Sequence, residues 1–178
     1  NATFLTQDNS VVEFENDILS GINYYGAGED FAKIEHFAIG EGRYLQQTDF
    51  DRGTNSLVVG YNIAEKLFSK PELAIGKTVR LKSGKPAVII GVIEKQGQSM
   101  MDMWGYDDCV IMPYKFLRQL TRDKDANPKI IVEGKENISI PALKEELTGA
   151  MRSIHKLSPG QEDDYSLNDI ESFSREMD

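Results

Sequence analysis

The sequence predicts an α+β fold in two lobes, with small mixed sheets and a strand–helix–strand unit at the C-terminal end. Three observations predict it. Short apolar runs, alternating or rich in β-branched residues, recur between positions 11 and 132, each bounded by Gly, Pro or Asn-Asp turns. Several of the intervening turns are too short for parallel crossovers, which sets antiparallel or mixed pairing. A long helical period stands apart, beyond the polar stretch Asp-Lys-Asp-Ala-Asn-Pro at 123–128. That stretch divides the chain into a mixed α/β lobe, residues 1–122, and a second lobe, residues 123–178.

Each element has its local reason. Residues 11–14 alternate, Asn16-Asp17 turns the chain, and 21–25 resume with apolar and aromatic side chains, so the pair reads as a hairpin. Gly26-Ala27-Gly28 breaks it. Ile34, Phe37 and Ile39 fit a short helix or a strand equally. Gly40-Glu41-Gly42 is a tight turn into Arg43-Tyr44-Leu45. Ser-Leu-Val-Val-Gly at 56–60 is a short buried strand, and 62–68 follows as a helix with Ile63, Leu67 and Phe68 on one face. Pro71 and Gly76 end that unit. Val79 and Leu81 point inward from a strand over 78–82, turned by Ser83-Gly84. Residues 87–94 are the most strand-like of all, whereas 96–108 carry no period and read as a loop. A strand over 109–112 stops at Pro113, and Phe116, Leu117 and Leu120 share a face of the next short helix.

Beyond the polar stretch, 129–132 is a strand. Ser139 as N-cap and Pro141 in the first turn open a helix whose apolar row is Leu143, Leu147, Met151, Ile154 and Leu157. It ends at Ser158-Pro159-Gly160. Residues 165–167 complete the strand–helix–strand unit. Asn168 or Asp169 then caps a last helix with Ile170, Phe173 and Met177 on one side.

Composition narrows the function. Hydrophobic residues make up 40% of the 178, enough for a sizeable core. Twenty Lys and Arg stand against 29 Asp and Glu, for a net charge of −9. That sign supplies no footprint for nucleic acid and disfavours an anionic membrane surface. The single cysteine, Cys109, excludes an intramolecular disulfide and a cysteine metal cluster; it sits in an apolar strand and reads as a buried thiol. No apolar run approaches the ~20 residues of a membrane span. The chain begins without methionine and stops inside a helical pattern, so it is expected to be a soluble piece of something longer.

Nothing in the sequence assembles a catalytic, metal or cofactor site. His36 and His155 lie in unlike segments without metal-ligand spacing. Asp49/Asp51, Asp107/Asp108 and Glu162-Asp163-Asp164 lack the spacing of a calcium loop and read as solvated acids. The glycine pairs are turns, and no phosphate-binding or nucleophile-elbow motif occurs. One feature is unusual: Met100, Met101, Met103 and Trp104 gather in the loop over 99–106. Soft methionines beside an aromatic suit an adaptable contact with a partner; the alternative is a loop folded back on the core.

The order of the motifs carries more than any one of them. Gly42-Arg43-Tyr44-Leu45 is followed by Thr48-Asp49, Leu57-Val58-Val59-Gly60, Ala64-Glu65-Lys66-Leu67-Phe68 and Ile75-Gly76-Lys77. Val88-Ile89-Ile90-Gly91-Val92 and Val110-Ile111-Met112-Pro113 come next. This series resembles the MacB-like periplasmic core domain of ABC transporter permeases of the MacB/FtsX/LolE type. The resemblance implies a non-catalytic, cofactor-free domain on the periplasmic side of a bacterial inner membrane, tethered by flanking membrane helices. It also implies a porter-like lobe of βαβ units holding an inserted mixed α/β lobe. The implied partners are the ATPase domain or subunit of the same transporter, a second permease subunit in a homodimer or heterodimer, and a periplasmic adaptor. The implied activity is mechanical: cytoplasmic ATP hydrolysis is coupled to export or to the handling of periplasmic substrates. Gly42, Arg43, Asp49, Gly60, Phe68, Gly76, Gly91 and Pro113 carry the motif in structural roles, with Arg43 and Asp49 expected to pair across a turn. The family opens with a further strand and helix, and little precedes residue 11 here. The last helix is expected to continue as a stalk toward the membrane. The rival reading is a free-standing ligand-binding protein or enzyme that uses a cleft between lobes.

Overall fold

In the computed structural model, the N-terminal hairpin runs well past its clearest alternating stretch. β1 (Ala2–Phe14) and β2 (Asp17–Ala27) pair antiparallel from Leu5↔Ala27 to Phe14↔Asp17. The structure describes residues 2–35, 37–96, 105–121, 127–135 and 137–169. After the hairpin come α1 (Phe31–Glu35), β3 (Ile39–Gly42), α2 (Gln47–Arg52), β4 (Ser56–Val59) and α3 (Tyr61–Phe68). β5 (Thr78–Arg80), β6 (Pro86–Ile93), β7 (Cys109–Pro113), α4 (Tyr114–Leu120), β8 (Asn127–Val132) and α5 (Ile140–Ile154) complete the order. Single 3₁₀ turns stand at Pro71–Ala74, Lys82–Gly84 and Tyr106–Asp108. The ambiguous stretch around 34–39 is spent on both options, first α1 and then β3.

The strands form one eight-stranded sheet in the order β2-β7-β4-β6-β5-β1-β8, with β3 added alongside β6. The expectation of several small sheets is corrected on this point; mixed pairing is what the ladders show. β2 runs parallel to β7 and β4 parallel to β6, while the other pairs are antiparallel. β1 is long enough to serve two edges. One carries β2; the other carries β8 along Ala2–Gln7 and meets β5 at Glu13↔Arg80. The hydrogen-bonded path therefore returns to its start.

The sheet's alternation sorts the core into two clusters, one per face. Tyr24, Leu57, Val59, Ile89, Val110 and Met112 join Ile63 and Leu67 of α3 and Phe116 and Leu117 of α4 in the first. Tyr25, Ala27, Val58, Cys109 and Ile111, one position out of phase, join Phe31, Leu45 and Tyr106 in the second. Of the three register shifts among the described strands, two change the phase of the core. Val12 opposes Leu19 although Ser10 opposes Ile22, and Val58 opposes Gly91 although Leu57 opposes Ile89. Leu19 and Ile22, and Ile89 and Val92, thus share a face at a spacing of three. Burial pushes the Tyr24 hydroxyl up to about 12. That hydroxyl donates to the Val11 carbonyl.

By its contacts the chain divides into two compact units, 1–132 and 133–178. β8 belongs to the first unit, antiparallel to β1, so that unit ends ten residues past the boundary placed at 122/123 from composition. The expected C-terminal strand–helix–strand unit does not form, and residues 165–167 carry no strand. The reason lies in partners. The extended residues 2–7 offer β8 a full ladder, while Tyr165 is taken up by α5, its hydroxyl donating to the Thr148 carbonyl at 3.2 Å. α5 itself follows the sequence: the Ser139 hydroxyl accepts the Ala142 N–H at 3.4 Å, and Pro141 stands in the first turn. The expected last helix lies almost wholly outside the described residues.

Candidate functional site

The residues singled out from the motif series fall into three places in the first unit. The first is a backbone crossing. β3 ends at Gly42, opposite Gly91 in the bulge of β6. The Arg43 N–H donates to the Ile90 carbonyl at 2.9 Å. A Cβ at Gly91 would stand 2.2 Å from the Arg43 carbonyl oxygen, and one at Gly42 would stand 2.3 Å from the Ile90 carbonyl oxygen. Gly42 also has φ +73°, a region L-residues rarely adopt. Two glycines are required here because two main chains touch.

Just past the crossing, the Asp49 carboxylate becomes the hub of the turn. It accepts from the Arg43 guanidinium at 2.8 Å, the Gln46 N–H at 2.9 Å and the Thr54 hydroxyl at 2.9 Å. The Ser56 hydroxyl lies at 3.4 Å. Asp49 is only 5% exposed, whereas the Arg43 side chain is 45% exposed. The expected pair forms, but Asp49 is no solvated surface acid. Burial alone would raise its carboxyl; the bonds from Arg43, Gln46 and Thr54 and the Arg43 charge outweigh that and hold it below the usual carboxylate range.

The second place is the start of α3. A Cβ at Gly60 would lie 2.2 Å from the Tyr106 carbonyl oxygen and 2.4 Å from that of Asp107, so the turn Tyr106–Asp108 sits directly on the β4–α3 junction. Asp108 then reaches α3, accepting from the Asn62 amide at 2.7 Å and from Lys66 Nζ at 3.3 Å. Asp107 is buried and accepts the Gln96 N–H at 3.0 Å. Asp108 stays half-exposed, but Asp107 is not the solvated acid its loop position suggests; the signal for it is Gly60, whose close approach needs something to pack on it. Tyr106 donates to Glu35 at 2.8 Å, and burial pushes its hydroxyl far up. Met100, Met101, Met103 and Trp104 lie outside the described residues.

In the third place, Phe68 closes the first core cluster with its ring 4.5 Å from that of Phe14. Gly76, at φ +78°, donates its N–H to the Ile89 carbonyl at 2.8 Å. Pro113 pairs with Ala27 at the end of β7 and stands at the N-terminus of α4. These residues hold strands, turns and helix ends to one another, and no nucleophile stands beside a base among them. Among the described residues, no three His, Cys, Asp or Glu side chains gather as a metal site would need.

The profile of the MacB-like periplasmic core domain matches residues 2–150. The chain belongs to that family. MacB-like relatives align along most of it. The macrolide export ATP-binding/permease protein MacB of Neisseria meningitidis serogroup B is 25% identical over 175 residues, 97% of this chain and 25% of that protein. MacB of Campylobacter jejuni (serotype O:2) is 32% identical over 148 residues, covering 80% of this chain and 22% of the relative. The chain thus spans about a quarter of the length of such relatives. The crystal structure of the periplasmic region of MacB from Actinobacillus actinomycetemcomitans superposes with a TM-score of 0.78 at 20% identity, over 99% of this chain and 74% of that one. The extracellular domain of the ABC-type transporter YknZ from Gram-positive bacteria gives 0.70 at 19% identity, over 88% and 76%. Both show the fold. The MacB-like chain is a periplasmic domain of the ABC-permease type, from a transporter family and not an enzyme family. No helix among the described residues is long and apolar enough to cross a membrane.

Proposed function

We propose that this chain is the mechanical, non-catalytic periplasmic part of an exporting ABC permease, coupling ATP hydrolysis carried by another domain or subunit to work outside the membrane. The observation that carries the reading is one of proportion. Nearly the whole chain aligns with a quarter of relatives named for ATP binding and permease together, and that quarter is the periplasmic core domain. In this reading the permease is dimeric and a periplasmic adaptor engages the domain. The first unit is the inserted mixed α/β lobe, and the porter-like lobe takes α5 without the strand expected over 165–167 and leads into a stalk. The segment with Met100, Met101, Met103 and Trp104 is the partner contact, which its unusual composition supports. The rigidity that coupling requires is supplied by the crossings at Gly42/Gly91 and Gly60, where backbone rests on backbone.

The test uses the parent protein in reconstituted vesicles. The combined variant Met100→Ser, Met101→Ser, Trp104→Ser is expected to lose export while its ATP hydrolysis and the domain's thermal unfolding stay near wild type. Export at the wild-type level overturns the contact. Stoichiometric ATP binding by the isolated 178-residue chain in calorimetry overturns the non-catalytic reading.

A further inference from the structure

We propose that residues 158–169 form a releasable strap, clasped along one row of α5 by charge rather than by apolar burial. Lys144, Thr148, Arg152 and His155 are spaced four, four and three apart, so they line one face of α5 and its C-terminal end. The chain that follows turns back along them, so that Asp163 and Asp164 meet Arg152 and His155, Tyr165 meets Thr148 and Asp169 meets Lys144. His155 Nδ1 lies 2.7 Å from Asp164 Oδ1, with its ring edge-on to Tyr165 at 5.6 Å. Arg152 pairs with Asp163 and also donates to the carbonyls of Ser158 at 2.8 Å and Gln161 at 3.0 Å. Tyr165 bonds the Thr148 carbonyl, and Lys144 pairs with Asp169. Three basic side chains of the helix face three aspartates of the strap.

Apolar packing does little to hold this arrangement. No residue of α5 is buried, nor is any from 158 to 169. The helix's apolar row, Leu143, Leu147, Met151 and Ile154, runs one position before each clasping residue and is only half-buried or exposed. The ion pairs are part-exposed as well, with Arg152 27% and Asp163 38% open to solvent. Pairs of this kind are individually weak and are screened by salt. The strap is therefore attached at several points, none of which holds alone, and it comes away as a unit when the charges are screened or the chain beyond it is pulled.

Release changes length as well as order. From Arg152 to Lys144 the helix rises about 1.5 Å per residue, roughly 12 Å, whereas twelve freed residues extend to about 40 Å at ~3.3 Å each. A clasped strap passes a displacement at residue 169 directly to α5; a released one absorbs it as slack. That use of the strap rests on the transporter reading, but its existence does not, and the test needs only this chain.

The measurement is hydrogen exchange by mass spectrometry on the 178-residue chain at about 50 mM and about 500 mM NaCl, between which the screening length falls about threefold. Amides of 158–166 are expected to exchange at least about fivefold faster at high salt, while those of α5 and β7 stay unchanged. Arg152→Gln is expected to give the fast rate already at low salt, and Arg152→Lys, which keeps a charged donor for Asp163, to keep most of the protection. Should Arg152→Gln unravel the helix, Asp163→Asn with Asp169→Asn on the strap carries the same comparison. The inference is overturned if strap exchange is free at low salt, if it is insensitive to salt and to every variant, or if α5 opens in step with it.

Discussion

Replacing Asp49 by asparagine keeps the side chain's size and removes only its charge. In the wild type, one carboxylate oxygen takes Arg43 and the Gln46 N–H, and the other takes the Thr54 hydroxyl. An asparagine can keep its carbonyl on the first pair, because neither of those donors can accept, and must then turn its NH₂ toward Thr54, whose hydroxyl can rotate to accept it. What is lost is charge assistance. A hydrogen bond to an ionised group is worth about 1.5–3 kcal/mol against about 0.5–1.5 for a neutral one, so the Gln46 bond gives up about 1 kcal/mol. Weakening at Thr54 adds a similar amount, and the half-exposed Arg43 adds only about 0–1 kcal/mol. The sum is about 2–3 kcal/mol, or a fall in Tm of roughly 4–12 °C for a chain of this length.

The sign with pH follows from the depressed carboxyl. A group held below its unfolded value contributes stability that is complete above the ordinary aspartate value of about 3.9 and is lost as the pH falls through its native value. Urea unfolding followed by circular dichroism at neutral pH and again below about pH 4 is the assay. The gap between wild type and Asp49→Asn should be full at neutral pH and narrow in acid. An equal gap at both, or none at neutral pH, would refute the hub.

The other predictions use the same unfolding assay. Gly60→Ala forces a methyl against two carbonyl oxygens of the backbone and should cost at least about 1–3 kcal/mol, and a neutral result would mean that the turn at Tyr106–Asp108 can move away. Leu117→Ala removes a fully buried side chain packed against Gly26 and should cost about 2–5 kcal/mol; less than 1 would place it outside the core. A double-mutant cycle on Phe14 and Phe68 should return a coupling of about 0.5–1.5 kcal/mol, and zero would sink the ring contact.

Much of this architecture is legible in the chain because its local signals agree with its packing. The strand over 56–60, the face of Ile63, Leu67 and Phe68, and the Ser139 cap with Pro141 all declare themselves within a few residues. What stays hidden is what depends on distant partners. Ile89 and Val92 share a sheet face at a spacing of three only because a bulge opposite Val58 inserts a residue, and no local pattern marks it. Residues 2–4 carry little alternation of their own and lie beyond the hairpin ladder; they are a strand because β8 pairs with them from more than 120 positions away. Asp49 reads as one acid among many until Gln46, Thr54 and Arg43 converge on it. The motif order gave the family, yet it could not show that Tyr165 would go to a helix carbonyl rather than a ladder.

The double duty of β1 has a consequence for the order of events in folding. Its Leu5 opposes both Ala27 and Lys129, so one of its edges can be satisfied early, by a hairpin of local contacts, while the other waits until residues 127–132 have been made. Closing so wide a loop must precede any reward from the ladder it permits, which places this step late and makes it slow. Until then the outer edge of β1 is an unpaired template open to any passing strand. During synthesis this domain is therefore most vulnerable to aggregation along residues 2–7, until residues 127–132 have been made.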